Sequence, residues 1–134
     1  MPEEKQDFTA YVVSENGKTE SYNFGSTANI SVFLTEREVG SIATYRVKNE
    51  ALAGLYICWV DPEAKEKGRE YNAVGSRLSG APVYGKLLMW RSYDDKALPI
   101  KENDIKFLER IAALYRAQLV KINRSKRRQE RSLK

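Results

Sequence analysis

The chain contains the stretch ENDIKFLERIAALYRAQLVKINRSKR at residues 102–127, and this stretch decides the fold. Apolar residues recur in it at steps of three and four, which is the spacing of one helix face. They are Ile105, Leu108, Ala112, Tyr115, Leu119 and Ile122, in a stripe widened by Phe107, Ile111 and Leu114. Acidic Glu102 and Asp104 fall where they interact favourably with a helix dipole. The stretch predicts one amphipathic helix from Glu102 to about Arg127.

The N-terminal part of the chain predicts a β-hairpin. Residues 8–14 and 19–24 are rich in β-branched and aromatic types. Between them lies Asn16-Gly17, a strong signal for a tight turn because both residues tolerate positive φ. Residues 28–35 also alternate in polarity, which favours a third strand, although a short helix capped by Ser26 or Thr27 fits the same residues.

Three further strands are predicted, at residues 41–48, 52–60 and 83–92. The second is almost entirely apolar, so we expect it in the centre of the sheet, buried on both faces. A short helix is predicted over residues 71–78, ending at Gly80, and residues 93–96 are expected to form a polar loop. The fold class is therefore α+β, with a mainly antiparallel sheet of about five to six strands and one long C-terminal amphipathic helix on one face.

The domain organisation is expected to be simple. A chain of 134 residues with 42% hydrophobic residues is the size of one domain. We assign residues 1–128 to a single α+β domain and residues 129–134 to a basic, flexible tail. The N-terminal residues are acidic and contain no apolar segment, and no apolar run is long enough to cross a bilayer. We therefore expect a cytoplasmic protein with no membrane partner.

Two features of the composition argue against an enzyme. The chain has no histidine, which removes the commonest general base and the triads that depend on it. Its single cysteine, Cys58, lies in a strand-like run and is expected to be a buried packing residue. We expect no catalytic residues, no metal site and no cofactor.

The net charge of +5 is concentrated at the C-terminus. Residues 121–134 carry seven Lys or Arg and one acid, whereas the preceding residues carry 16 Lys or Arg and 17 Asp or Glu. A cationic cluster of this kind predicts an anionic partner. The candidate contact residues are Lys121, Arg124, Lys126, Arg127, Arg128 and Arg131. Cations at a helix end also stabilise its dipole, which is a purely structural alternative.

Other patterns suggest weaker hypotheses. Asp61, Glu63 and Lys65 follow an apolar strand and match the acid and lysine positions of magnesium nucleases, although Glu-x-Lys is common in charged loops. The eight tyrosines could stack on bases, but tyrosines in strands more often form cross-strand pairs. A homodimer through the C-terminal helix, with Leu119 and Ile122 projecting past the sheet, is a further hypothesis.

The segment Asp61–Trp90 contains Lys67-Gly68, then Asn72, then LSGAPVYG at residues 78–85. With this pattern it resembles an uncharacterised family of small proteins of phages and mobile elements. In that family a charged loop leads to an Asn-containing helix and a Pro-x-Tyr-Gly entry into a strand. The family's Asn-Arg pair is Asn72-Ala73 here. The resemblance covers about a quarter of the chain, implies a viral or mobile-element origin, and transfers no site residue.

Together, these observations predict a non-catalytic binding protein of phage or mobile-element origin. The leading hypothesis is that it inhibits a host defence nuclease, in the manner of an anti-CRISPR protein, by occupying a nucleic-acid or protein surface with its basic helix. The alternative is an accessory protein of replication or transfer that binds DNA or RNA directly. A magnesium-dependent nuclease is the third hypothesis.

Overall fold

A computed structural model of the protein describes residues 7–36, 42–94 and 96–132. Six strands and three helices follow one another along these residues. They are β1 (Thr9–Val13), β2 (Thr19–Asn23), α1 (Thr27–Thr35), β3 (Ala43–Arg46), β4 (Tyr56–Val60), α2 (Ala73–Ser79), β5 (Leu87–Tyr93), β6 (Lys96–Leu98) and α3 (Glu102–Ser132). The sheet has the order β2-β1-β5-β4-β3, β6 pairs with β5, and every pairing is antiparallel. The α+β fold class and the long C-terminal helix are confirmed.

The sheet separates two apolar clusters and so forms the middle layer of three. On one face, Tyr11, Cys58 and Met89 pack against α2 and α3. On the other face, Val12, Leu88 and Trp90 of the sheet pack against Ile30 and Leu34 of α1. Because successive residues of a strand point to opposite faces, β1, β4 and β5 supply side chains to both clusters.

The predicted hairpin is confirmed, whereas the strand favoured for residues 28–35 is wrong. The short helix that also fitted these residues forms instead. The Ser26 hydroxyl accepts a hydrogen bond from the Asn29 N–H at 3.2 Å and caps α1. Ile30 and Leu34 lie one helical turn apart and are both buried against the sheet. The helix forms in preference to a strand because it buries Ile30 and Leu34 together against the sheet.

The strands at residues 52–60 and 83–92 are shorter than predicted. Residues 51–55 form turns, with the Leu52 N–H donating to the carbonyl of Asn49, and the strand begins at Tyr56. The strand that ends at Val60 lies inside the sheet, between β5 and β3, and is buried on both faces as predicted, although the middle strand of the order is β5. The expected polar loop at residues 93–96 is also wrong in part, because β5 continues to Tyr93 and β6 begins at Lys96.

The helix boundaries follow the capping signals. The Asn72 side chain accepts from the Gly75 N–H and begins α2, and Gly80, at φ 80°, ends it as predicted. The long helix begins at Glu102, also as predicted, but continues to Ser132, beyond the expected end near Arg127. The sequence Glu36-Arg37-Glu38 also predicts a charged turn, and all of it except Glu36 lies outside the described residues.

Candidate nucleic-acid interface

The first half of α3 holds the helix on the sheet. Leu108 and Ala112 are fully buried, and Ile105, Tyr115 and Leu119 pack against the same cluster. Three residues of the predicted apolar stripe are exposed to solvent instead. Phe107 and Ile122 are each 39% exposed, and Leu114 is 63% exposed. The surface that covers the sheet is therefore narrower than the sequence pattern.

A polar cluster fixes the middle of α3 on the β1–β2 hairpin. The Glu109 carboxylate accepts hydrogen bonds from the Tyr11 hydroxyl at 2.8 Å and from the Thr19 hydroxyl at 2.6 Å. About two turns later, the Arg116 guanidinium donates to the Gly17 carbonyl at 2.9 Å and lies 3.8 Å from the Glu109 carboxylate. These contacts join the helix to the turn of the hairpin, so they set the direction in which the helix leaves the sheet.

A second set of contacts lies on the α2 side of the helix. The Asn49 side chain donates to the Tyr115 hydroxyl at 2.7 Å, and the Arg77 guanidinium donates to the Gln118 side chain at 2.9 Å. Leu119 is the last residue of α3 that packs against the core cluster. Every residue from Val120 to Gln129 is exposed.

We call residues 120–132 of α3 the projecting segment. It continues the helix for 13 residues, or about 20 Å at ~1.5 Å per residue. Five of the six candidate binding residues, Lys121, Arg124, Lys126, Arg127 and Arg128, lie on it with exposed side chains. Arg131 lies in its last turn. The structure thus places the sequence-predicted residues on one continuous helical rod.

The cations are unevenly distributed around this rod. With about 100° between successive residues, Lys121, Arg124, Arg127 and Arg128 fall within an arc of about 120°, and Lys126 falls on the opposite side. In the part of the chain that the structure describes, none of these five side chains forms a salt bridge. Their charge is therefore not neutralised within the described protein.

Arg110 extends the same basic face and was missed by the sequence interpretation. It is exposed and precedes Arg128 by 18 residues, which is about five turns, so both lie at the same angle around α3. Exposed Ala113 and Ala117 lie near this angle between them. From Arg110 to Gln129 the sequence contains no acid. A helical-wheel count over the whole helix, rather than over its end, would have found this residue.

The arrangement suits contact with a phosphate backbone. Arg and Lys side chains bind phosphates by charge and hydrogen bonding, largely without regard to base sequence. A helix with its side chains is about 10–12 Å across, and the major groove of duplex DNA is about 12 Å wide. A helical rod exposed around its circumference can enter such a groove without moving the sheet.

The residues of the magnesium-nuclease hypothesis have other contacts. The Asp61 carboxylate lies 2.6 Å from the Lys67 ammonium and accepts the Glu63 backbone N–H at 2.9 Å, so it closes a turn. Lys65 lies over the ring of Tyr84. Among the described residues there is no group of three or more His, Cys, Asp or Glu that could hold a metal ion.

The cysteine and some of the tyrosines are buried, whereas other tyrosines are exposed. Cys58 is buried, and burial raises the pKa of its thiol to about 12, which opposes formation of the nucleophilic thiolate. Tyr11 and Tyr56 are buried and hydrogen-bonded to carboxylates of α3. Four tyrosines are more than half exposed, and none of them belongs to α3; they are Tyr22, Tyr45, Tyr71 and Tyr93. The stacking hypothesis thus gains no aromatic residue beside the projecting segment.

The homodimer hypothesis depends on apolar residues near the end of α3. Ile122 is 39% exposed and Val120 is 49% exposed, whereas Leu119 packs against the core. The homodimer stays a prediction.

Comparison with protein-family models, with curated proteins and with solved structures finds no match to this chain. Among the helices in the described ranges, none combines the length and apolar content needed to cross a bilayer.

Proposed function

We propose that the protein is a non-catalytic nucleic-acid-binding protein that holds a phosphate backbone with the projecting segment of α3. The observation that carries this proposal is the set of exposed cations at residues 121, 124, 126, 127 and 128, without a salt bridge in the described structure, on a helix that has left the sheet. A stretch of this length that served only to cap the helix dipole would need cations only in the last turn.

Electrostatics favours direct nucleic-acid binding over occupation of a nuclease channel. Nucleases and other proteins that hold nucleic acid do so in positively charged channels. A basic helix would be repelled from such a channel, because like charges placed together oppose association. Inhibition of a host nuclease is the leading hypothesis from the sequence. It would then act through the nucleic acid that the nuclease holds or through an acidic face of the nuclease. Phage or mobile-element origin stays a prediction from the resemblance alone.

The test is fluorescence anisotropy with labelled single- and double-stranded DNA and RNA of mixed sequence, repeated at several salt concentrations. We expect binding that is insensitive to base sequence and weakens steeply with salt. In the variant with Lys121→Glu, Arg124→Glu and Arg128→Glu, binding should fall by at least ~100-fold. The slope of log affinity against log salt should also become shallower by about 2–3, since each lost duplex phosphate contact removes ~0.9.

The matched control reverses three exposed lysines outside α3, with Lys18→Glu, Lys96→Glu and Lys101→Glu. It changes the net charge by the same amount, so a similar loss of affinity would show that only net charge matters and would overturn the assignment to α3. If the parent protein binds none of the four nucleic acids at low salt, the proposal is wrong, and an acidic protein surface becomes the partner to test.

A further inference from the structure

A second concave site lies on the sheet face that carries α2 and α3, at the β3 edge. It is a cavity of about 590 Å³, within the range of about 300–1,000 Å³ typical of small-molecule sites. Its floor is apolar and includes Cys58 and Val60 of β4 and Leu87 of β5. Lys48 and Lys65 are among the residues at its rim. None of the cavity residues belongs to α3.

The cavity exists because the helices cover this face unequally. Leu108 and Ala112 of α3 and Leu78 of α2 pack into the core cluster over the middle of the sheet. The shorter helix ends at Gly80, and the chain then passes along the cavity from Ala81 to Tyr84 before entering β5. Tyr45, on edge strand β3, is left 54% exposed at the opposite wall.

The walls are held in place by backbone contacts. The Lys48 N–H donates to the Ser79 carbonyl at 2.7 Å, which ties the rim lysine to the end of α2. On the opposite wall, the buried Ser76 hydroxyl accepts the Val83 N–H at 2.8 Å. The third wall is fixed where Gly85 packs closely against Ala64. A cavity with walls fixed in this way loses little conformational entropy when a ligand binds.

The charge at the rim selects the ligand. Two exposed cationic side chains, Lys48 and Lys65, line the cavity. Arg46 also borders it, but it lies opposite Ile57 in the β3–β4 register, so its side chain points to the face that carries α1. Among the described residues, Asp61 is the one acid that lines it, and Asp61 is only 8% exposed and is paired with Lys67 at 2.6 Å. The lining is therefore positive above an apolar floor, and it complements a molecule with one apolar part and one anionic part.

Covalent chemistry is not required of this site. The Cys58 thiol in the floor is protonated at neutral pH because burial raises its pKa. The thiol therefore contributes apolar surface and not a nucleophile.

We propose that this cavity is a non-covalent binding site for a small amphipathic anion. The apolar group of the ligand lies on Cys58, Val60 and Leu87, and its carboxylate, sulfonate or phosphate lies between Lys48 and Lys65. This site goes beyond the proposed function, because the cavity and the projecting segment share no residue.

The experiment uses anilinonaphthalene sulfonate, an aromatic anion that fluoresces in apolar surroundings, and N-phenylnaphthylamine, its uncharged analogue. Titration of the full chain should give saturable binding of one sulfonate per chain, about tenfold tighter than binding of the neutral probe. In an amide-resolved NMR spectrum of the parent protein, the sulfonate should shift residues 45–48, 58–65 and 79–87. Shifts confined to the α1 face or to α3 would overturn the proposal.

The charge variant is Lys48→Glu with Lys65→Glu, and both lysines are exposed, so the fold should survive. We expect about tenfold weaker sulfonate binding and unchanged binding of the neutral probe. The matched control, Lys96→Glu with Lys101→Glu, carries the same charge change away from the cavity and should bind the sulfonate as the parent does. Equal affinity in the charge variant and the parent would refute the assignment of the rim. Ala81→Trp, which fills the cavity from a partly exposed loop position, should weaken both probes.

Discussion

The side-chain amide of Asn72 donates a hydrogen bond to the backbone carbonyl of Val13 at 2.9 Å, although 59 residues separate the two in sequence. The same amide donates to the Gly85 carbonyl at 2.8 Å, and its oxygen accepts the Gly75 N–H at 2.8 Å. Asn72 is fully buried. One side chain thus joins the end of β1, the start of α2 and the chain that enters β5.

Replacing Asn72 with Ala should destabilise the protein by about 3 kcal/mol. The change removes a helix cap, at about 1 kcal/mol, and leaves two buried carbonyls without this donor, at about 1–3 kcal/mol in all. Urea denaturation followed by circular dichroism measures the loss. The control is Asn123→Ala on the exposed surface of α3, which should change stability by less than about 0.5 kcal/mol. Equal stabilities of the two variants would mean that the buried amide is dispensable.

Replacing Gly80 or Gly54 with alanine distinguishes the cost of backbone strain from the cost of a steric clash. Both have φ of +80°, a conformation that costs an alanine about 1–2 kcal/mol. A Cβ at Gly80 would also lie 2.5 Å from the Asn49 nitrogen, whereas nothing lies within 4 Å of one at Gly54. We expect Gly80→Ala to lower the free energy of unfolding by about 2 kcal/mol more than Gly54→Ala. If thermal unfolding gives the same loss for both, the close approach of α2 to the Lys48–Asn49 backbone is incorrect.

Alkaline pH should destabilise the fold through buried acids that stay protonated. The pKa of the Cys58 thiol rises from 9.0 to about 12 on folding because of burial. The native state thus retains a proton that the unfolded state loses, so stability is complete below pH 9 and falls by ~1.4 kcal/mol per pH unit up to about 12. Burial raises the pKa of Tyr11 and Tyr56 above 10.0 as well, so their effect begins at higher pH and has the same sign.

The Cys58 contribution can be isolated with Cys58→Ala. The measurement is the slope of the unfolding free energy against pH between 9 and 11. The overall loss of stability caused by Cys58→Ala does not enter this slope. We expect the slope to be shallower in the variant than in the parent. Tyr11 and Tyr56 should contribute the same amount in both proteins. Parallel curves would show that the thiol is already exposed to solvent in the native state.

A proline in the projecting segment of α3 should hardly change the stability of the domain, whereas a proline in the packed part of α3 should lower it strongly. Ser125→Pro breaks the projecting segment, whose described residues 120–129 are all exposed and contribute nothing to the core cluster, so the unfolding midpoint of the domain should barely change. Nucleic-acid affinity should nevertheless fall, because the cations no longer share one rigid helix. Ala113→Pro lies between Leu108 and Leu119 and should cost about 3 kcal/mol or more. A large loss of domain stability in the Ser125 variant would place an additional contact beyond Leu119.

The local elements followed closely from the sequence where one strong signal controlled them. Gly17 set the turn of the hairpin, and Gly80 set the end of α2, since both glycines have positive φ. Asn16 does not share that conformation, although the sequence signal included it. Residues 28–35 were ambiguous because their apolar spacing satisfies a strand and a helix equally. Only the surface that receives Ile30 and Leu34 resolves this, and that surface is built by strands distant in sequence.

The sequence by itself determined the α+β class, the long amphipathic helix and the concentration of positive charge at its end. These depend on local periodicity and composition, which the chain carries residue by residue. Only the tertiary structure decided where α3 leaves the sheet, because that point depends on contacts of Glu109 and Arg116 with a hairpin about 90 residues earlier. The cavity likewise required the fold, since strands β3, β4 and β5 and the end of α2 meet there only after long-range pairing has formed.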